Sequence, residues 1–251
     1  MMTLMRGGPP MPSPFNRAWR ACLRKEWRSE IRNPHGLYLS FLFGAMAMAS
    51  IMFVTGTQRP TAEMAGGLFT IVILFSALQA VPRLFLAEEE QGTFDLVRQW
   101  GSLDALWLGK ALFAGLQQLI TALVLGVLFA GIIPLPIVSP IHFWITIPLL
   151  GLAVANVLSL TSSIVITAQN RWILSTVIAL PLLFPFIFLG ISALRVSFGI
   201  GSLEGGWQAI VALLMYGIAP LAIGPNLART LWNERKDPSQ NPIGQHNEVK
   251  P

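Results

Sequence analysis

The sequence predicts an all-α membrane protein: six transmembrane helices preceded by an amphipathic interfacial helix. Three observations lead there. Of 251 residues, 53% are hydrophobic and 12% charged. A soluble domain carries roughly 25% charged residues, so half the usual charge would have to cover the whole surface. Six apolar stretches are each long enough to cross roughly 30 Å of hydrocarbon, which takes about 20 residues. Lys and Arg fall almost entirely on one side of the ladder these stretches define. The net charge of +5 is therefore held in tails and loops. It does not form a face for nucleic acid, and no nucleic-acid partner is expected. The single cysteine, Cys22, excludes a disulfide within the chain.

Residues 1–12 read as a disordered tail with no signal-peptide core. An interfacial helix follows over 13–33. Ser13 is placed as its N-cap and Pro14 at its first position. Phe15, Ala18, Trp19, Cys22, Leu23, Trp27 and Ile31 recur at three- and four-residue steps, with Arg17, Arg20, Arg24, Lys25 and Arg28 mostly off that stripe. A basic helix with tryptophans on its apolar face suits the headgroup boundary. Trp19, Arg24, Lys25, Trp27 and Arg28 are its expected membrane contacts. Asn33-Pro34 ends it.

The membrane domain spans 34–230. Its apolar stretches cover residues 36–56, 64–86, 106–133, 141–168, 172–194 and 207–228. The second is interrupted near its end by Pro82 and Arg83. With all six spanning, fifteen Lys and Arg lie on the side of both termini and two, Arg59 and Arg195, on the other. Basic residues stay cytoplasmic. Both termini are thus expected inside a bacterial-type inner membrane. Residues 231–251 read as a polar, disordered tail.

The loop over 87–105 holds five of the twelve acidic residues. Phe94 and Val97 share a face at helical spacing, with Trp100 near it. The loop is a short amphipathic helix, either a solvated connector or a ball for a socket on a soluble partner. Exposed aromatics in a charged loop favour the partner. In the spans, Asn156, Ser159, Thr161, Ser162 and Ser163 make a polar stretch, as do Gln117 and Gln118. They serve interhelical hydrogen bonds or line a substrate path. His142 stands at the outer mouth of the fourth span beside Phe143 and Trp144. It is an interfacial residue or a ligand for heme iron.

Much chemistry is missing. No phosphate loop is present, since Ala111 follows Gly109-Lys110 and the upstream glycine spacing is wrong. There is no H-E-x-x-H zinc motif and no G-x-S-x-G turn. No metal site and no catalytic residue are assigned, and the chain is not read as an enzyme. The span interiors carry almost no ionisable groups, which disfavours an ion-coupled carrier.

Three passages carry a family resemblance. They are Arg24-Lys25-Glu26 with Glu30-Ile31-Arg32-Asn33-Pro34, Pro82-Arg83-Leu84-Phe85 through Glu89-Glu90-Gln91-Gly92-Thr93-Phe94-Asp95-Leu96, and Ala219-Pro220-Leu221-Ala222-Ile223. Over about residues 14–230 the chain resembles permeases of ABC-2-type exporters, and most closely the heme exporter protein B (CcmB) family of cytochrome c maturation. It departs from that family at Val97-Arg98-Gln99-Trp100-Gly101-Ser102, where Leu-Leu-Leu-Ser-Pro-Leu is usual. The resemblance implies a permease driven by a separate ABC ATPase, which holds the ATP. It also implies a second copy of the permease or a homologue, and a heme exporter C-like subunit. Contact with the ATPase falls to Glu88, Glu89, Glu90, Gly92, Thr93, Phe94, Asp95, Val97 and Arg98. The implied work is export of heme or release of a heme-loaded chaperone, with heme as substrate and no cofactor bound by this chain alone. Asn156, Ser159, Ser162 and His142 are the residues placed on a substrate path. The alternatives are an ABC-2 permease for a lipid, drug or polysaccharide, or a membrane assembly factor that transports nothing.

Overall fold

A computed structural model describes residues 14–56, 60–90, 102–132, 135–166 and 171–234. Among them every regular element is a helix. In chain order these are α1 (Pro14–Arg32), α2 (His35–Thr55), α3 (Ala62–Glu90), α4 (Leu103–Ile132), α5 (Pro140–Val165), α6 (Arg171–Ser197) and α7 (Leu203–Glu234). Among the described residues, α2 to α7 are each long and apolar enough to cross a membrane.

Local chemistry sets the boundaries. Pro14 opens α1, and the chain turns at Asn33 and Pro34 before α2. Gly56 closes α2 at φ 55, a left-handed conformation that glycine adopts without a Cβ clash, and its N–H reaches Met52 O at 2.9 Å. Pro140 starts α5, where its missing N–H would have had no helical partner.

Three expectations need correction. Pro82 does not interrupt the second span, because α3 runs through it to Glu90. A proline removes one helical hydrogen bond, and packing against neighbouring helices sustains the rest. The acidic residues 88–90 therefore end a helix instead of opening a loop. Residues 231–234, read as the start of the tail, belong to α7, which continues to Glu234 and buries Trp232 completely. The cause is an aromatic anchor inside a segment otherwise read by its polarity.

α3 and α5 hold the centre of the main core. Phe69, Ile73, Phe129, Phe143, Ile147, Leu150 and Phe186 are fully buried there. The Phe69 and Phe129 rings stand 4.6 Å apart, joining α3 to α4. A polar node crosses this core. Ser40 Oγ of α2 donates to Gln118 Oε1 of α4 at 3.0 Å, and Gln118 Nε2 donates to Ser76 Oγ of α3 at 2.8 Å. The two serine hydroxyls meet at 2.8 Å. Buried amide and hydroxyl groups need such partners. The outward faces carry large apolar side chains, Phe53, Val54, Leu180 and Phe184 among them. Water would expel such a surface, whereas acyl chains accommodate it.

The helix ends sort into two sets. One end gathers α1, the close of α3, the opening of α4, and the closes of α5 and α7 around Trp107 and Trp232. The other gathers the 135–139 segment, the close of α6 and the opening of α7. There Ser139 N donates to Ser197 O at 3.1 Å.

Candidate functional site

The first end is where the acidic connection between α3 and α4 is rooted. α1 packs on α4 in parallel register. Cys22 Sγ lies 3.6 Å from Leu106 O. One turn further along both helices, Lys110 Nζ lies 3.2 Å from Glu26 Oε1. Trp27 meets Phe113 edge-on, with ring centroids 6.5 Å apart. Close approach is possible because α4 offers Gly109, where a Cβ would lie 2.8 Å from both Trp19 O and Cys22 Cβ.

Glu26 and Lys110 are both buried, at 8% and 3% exposure. Lys110 Nζ also donates to Leu84 O of α3 at 2.8 Å and stands 5.9 Å over the Phe85 ring. Lys25 Nζ reaches the same Glu26 oxygen at 3.0 Å. Burial alone pushes the Glu26 carboxyl up, but the nearby Lys110 and Lys25 charges outweigh it and hold the group below the usual carboxylate range. Glu30 acts beside it: its Oε1 accepts from Leu37 N at 2.7 Å. That N–H belongs to the first turn of α2 and has no helical acceptor. The carboxylate also suits the positive end of the helix dipole.

The inward face of α1 overlaps its apolar stripe only in part. Its centre is Cys22 with Glu26, while Trp27 and Ile31 remain 43% and 66% exposed. A buried ion pair and a glycine-permitted approach dock α1 against α4. Trp19 is half-buried. Its Nε1 donates to Asn16 Oδ1 at 3.2 Å, and the Arg20 guanidinium lies 5.4 Å from its ring. Arg24, Lys25 and Arg28 are exposed.

Of the residues assigned to partner contact, Glu88, Glu89 and Glu90 form the last turn of α3. Gly92, Thr93, Phe94, Asp95, Val97 and Arg98 lie outside the described residues, as does the amphipathic helix expected there.

The intramembrane polar residues form a different group. Asn156, Ser159 and Ser162 share one face of α5 and are buried. Asn156 Nδ2 donates to Gly217 O of α7 at 2.8 Å, and Ser162 Oγ meets Ser175 Oγ of α6 at 3.3 Å. Ser159 Oγ has no hydrogen-bond partner among the described residues. A path along this face requires α5 and α7 to part. His142 is not with them. It lies about 21 Å from Asn156, the nearest of them, along α5, at the opposite end from the ion pair. Its Nδ1 is 2.8 Å from Ser139 Oγ and its ring 4.7 Å from that of Trp207. A Cβ on Gly206 would stand 3.2 Å from Nε2, so α7 covers the nitrogen that would meet iron.

Sequence reasoning missed Glu26, Glu30, Lys110, Trp107 and Trp232 as organising residues. One signal was available: Lys110 sits in the third turn of an apolar helix, where an unpaired ammonium is costly.

Residues 17–229 match the family described as CcmB protein. Heme exporter protein B of Rhodobacter capsulatus is 26% identical over 219 residues, which cover 83% of this chain and 99% of that relative. A match over nearly the whole helical bundle settles the family: this chain belongs to the CcmB family.

Proposed function

We propose that this chain is the permease subunit of an ATP-driven heme exporter, inserted in the inner membrane with both termini cytoplasmic. The single observation that carries this reading is the family match over nearly the whole bundle, with a relative named heme exporter protein B. The basic tally supports the orientation, because the end that gathers α1 and Trp107 is also the end where most Lys and Arg lie.

Since the sequence has no phosphate loop, ATP binds a separate ABC ATPase. That partner grips the connection between α3 and α4, with Phe94 and Val97 as apolar contacts and Glu88, Glu89, Glu90 and Asp95 as the charged rim. Gly92, Thr93 and Arg98 complete the contact. Closure of the ATPase pair pulls on the stems of α3 and α4. Two permease copies, or this chain with a homologue, form the pathway, and a heme exporter C-like subunit supplies the heme ligands. Heme, or a heme-loaded chaperone, is the cargo. Parting of α5 from α7 would bring Asn156, Ser159 and Ser162 to that pathway.

The test is co-purification. The chain in detergent should retain a soluble ATPase, and Phe94→Ala combined with Asp95→Asn should release it while the chain stays inserted. Retention of the ATPase by the double variant would refute the coupling role of the loop. Heme export that proceeds without ATP under a proton gradient would refute the exporter class.

A further inference from the structure

The connection that reaches the ATPase has a stem, and a charged side chain is buried in that stem. Lys110 lies in the third turn of α4, and Leu84 stands less than two turns before α3 ends at Glu90. Phe85, Leu86, Leu106, Trp107 and Cys22 make an apolar cluster around them. Into this cluster Lys110 brings an ammonium that touches three elements. It belongs to α4, donates to Leu84 O of α3 at 2.8 Å, and pairs with Glu26 of α1 at 3.2 Å. A buried ion pair is seldom more stabilising than a hydrophobic replacement, and its best-attested use is to fix one register. Here the register fixed is that of α1 against the two helices that carry the loop.

We propose that Lys110 and Glu26 are positioning residues. They clamp α1 to the stem of the α3–α4 connection, so that motion delivered to the connection also drives α1. From α1 the motion passes through the Asn33–Pro34 corner into α2, because Glu30 Oε1 holds Leu37 N across that corner. α1 is then a lever between the ATPase and the first span, and the carbonyl of Leu84 is its fulcrum. This rests on the ATPase-driven reading above.

The experiment uses the full chain with its ATPase in lipid nanodiscs, in a Cys22→Ser background. Spin labels are placed at Ser29 on α1 and Arg83 on α3, both exposed. The wild-type clamp gives one narrow interlabel distance, unchanged between nucleotide-free and vanadate-trapped states. Lys110→Met and Glu26→Gln lose that single distance on trapping, and ATP hydrolysis continues without heme export. Lys110→Arg, which keeps the cation, retains both the narrow distance and export. Glu26→Gln nearly preserves side-chain volume and carries the test if Lys110→Met does not fold. Narrow, unchanged distances in Lys110→Met and Glu26→Gln would overturn the clamp, as would a Lys110→Arg chain that behaves like Lys110→Met. A wild-type chain that retains no ATPase would instead overturn the permease reading and this inference with it.

Discussion

Replacing Gly224 by alanine puts one methyl group where α7 crosses the Trp107 ring. The new Cβ would stand 2.1 Å from Cη2, 2.2 Å from Cζ2 and 2.6 Å from Cζ3. Ordinary carbon contacts begin near 3.5 Å, so the ring or the helix must move by about 1.4 Å. The ring has nowhere to go, since Trp107 is fully buried among Phe85, Leu106, Ala228 and Trp232. Overpacking of this kind costs about 1–3 kcal/mol, and an overlap this deep belongs at the upper end. Alanine returns about 1 kcal/mol through its better helix propensity. The net loss is about 2 kcal/mol, equivalent to a fall of roughly 4–8 °C in the denaturation midpoint for a chain of this size. Fluorescence-detected size exclusion after heating in detergent measures it. Trp107→Phe removes the atoms the methyl meets, together with an indole N–H that has no partner among the described residues. The double variant should therefore be more stable than the sum of the two single changes predicts. A Gly224→Ala chain as stable as wild type, or strict additivity in the double, would refute the close packing of α7 on α4.

Three further outcomes are expected. Glu26 has its carboxyl held below the usual range, so its contribution is present at neutral pH and is lost as pH falls through that lowered value. Labelling of the buried Cys22 by dithiodipyridine should rise only in that acidic window, and Glu26→Gln should remove the step. Gln118→Leu takes away the bonds to Ser40 and Ser76 and should cost about 0.6–2 kcal/mol, read by the same thermal assay. Cysteines at Ser102 and Ser202, with Cys22 replaced, should label from opposite sides of the membrane; labelling from one side would break the six-span topology.

The helical core was legible because its signal is local. Each apolar run from residue 36 onward declared a helix, since a span must satisfy its own backbone and the lipid demands apolar side chains along its whole length. Boundaries moved by a few residues where packing overruled composition. Trp232 extended α7 because its indole fits the cluster around Trp107 and its Nε1 donates to Ser163 O at 3.1 Å, a carbonyl in the last turn of α5. Glu88, Glu89 and Glu90 joined α3 although their charge had marked them as loop. The polar stretch of α5 was found in the sequence, and the bond from Asn156 to Gly217 O fits the interhelical role weighed for it.

By itself the sequence determined that the chain enters a membrane six times, that an amphipathic helix precedes the first span, and that no phosphate loop is present. These follow from residue type and spacing along one strand of chain. Only the tertiary structure decided which face of α1 turns inward and where Lys110 finds its carboxylate. Glu26 and Lys110 are 84 positions apart, and no periodicity links them. Their partnership exists because Gly109 lets two backbones approach, and because an ammonium shut away from water must find a negative group within reach.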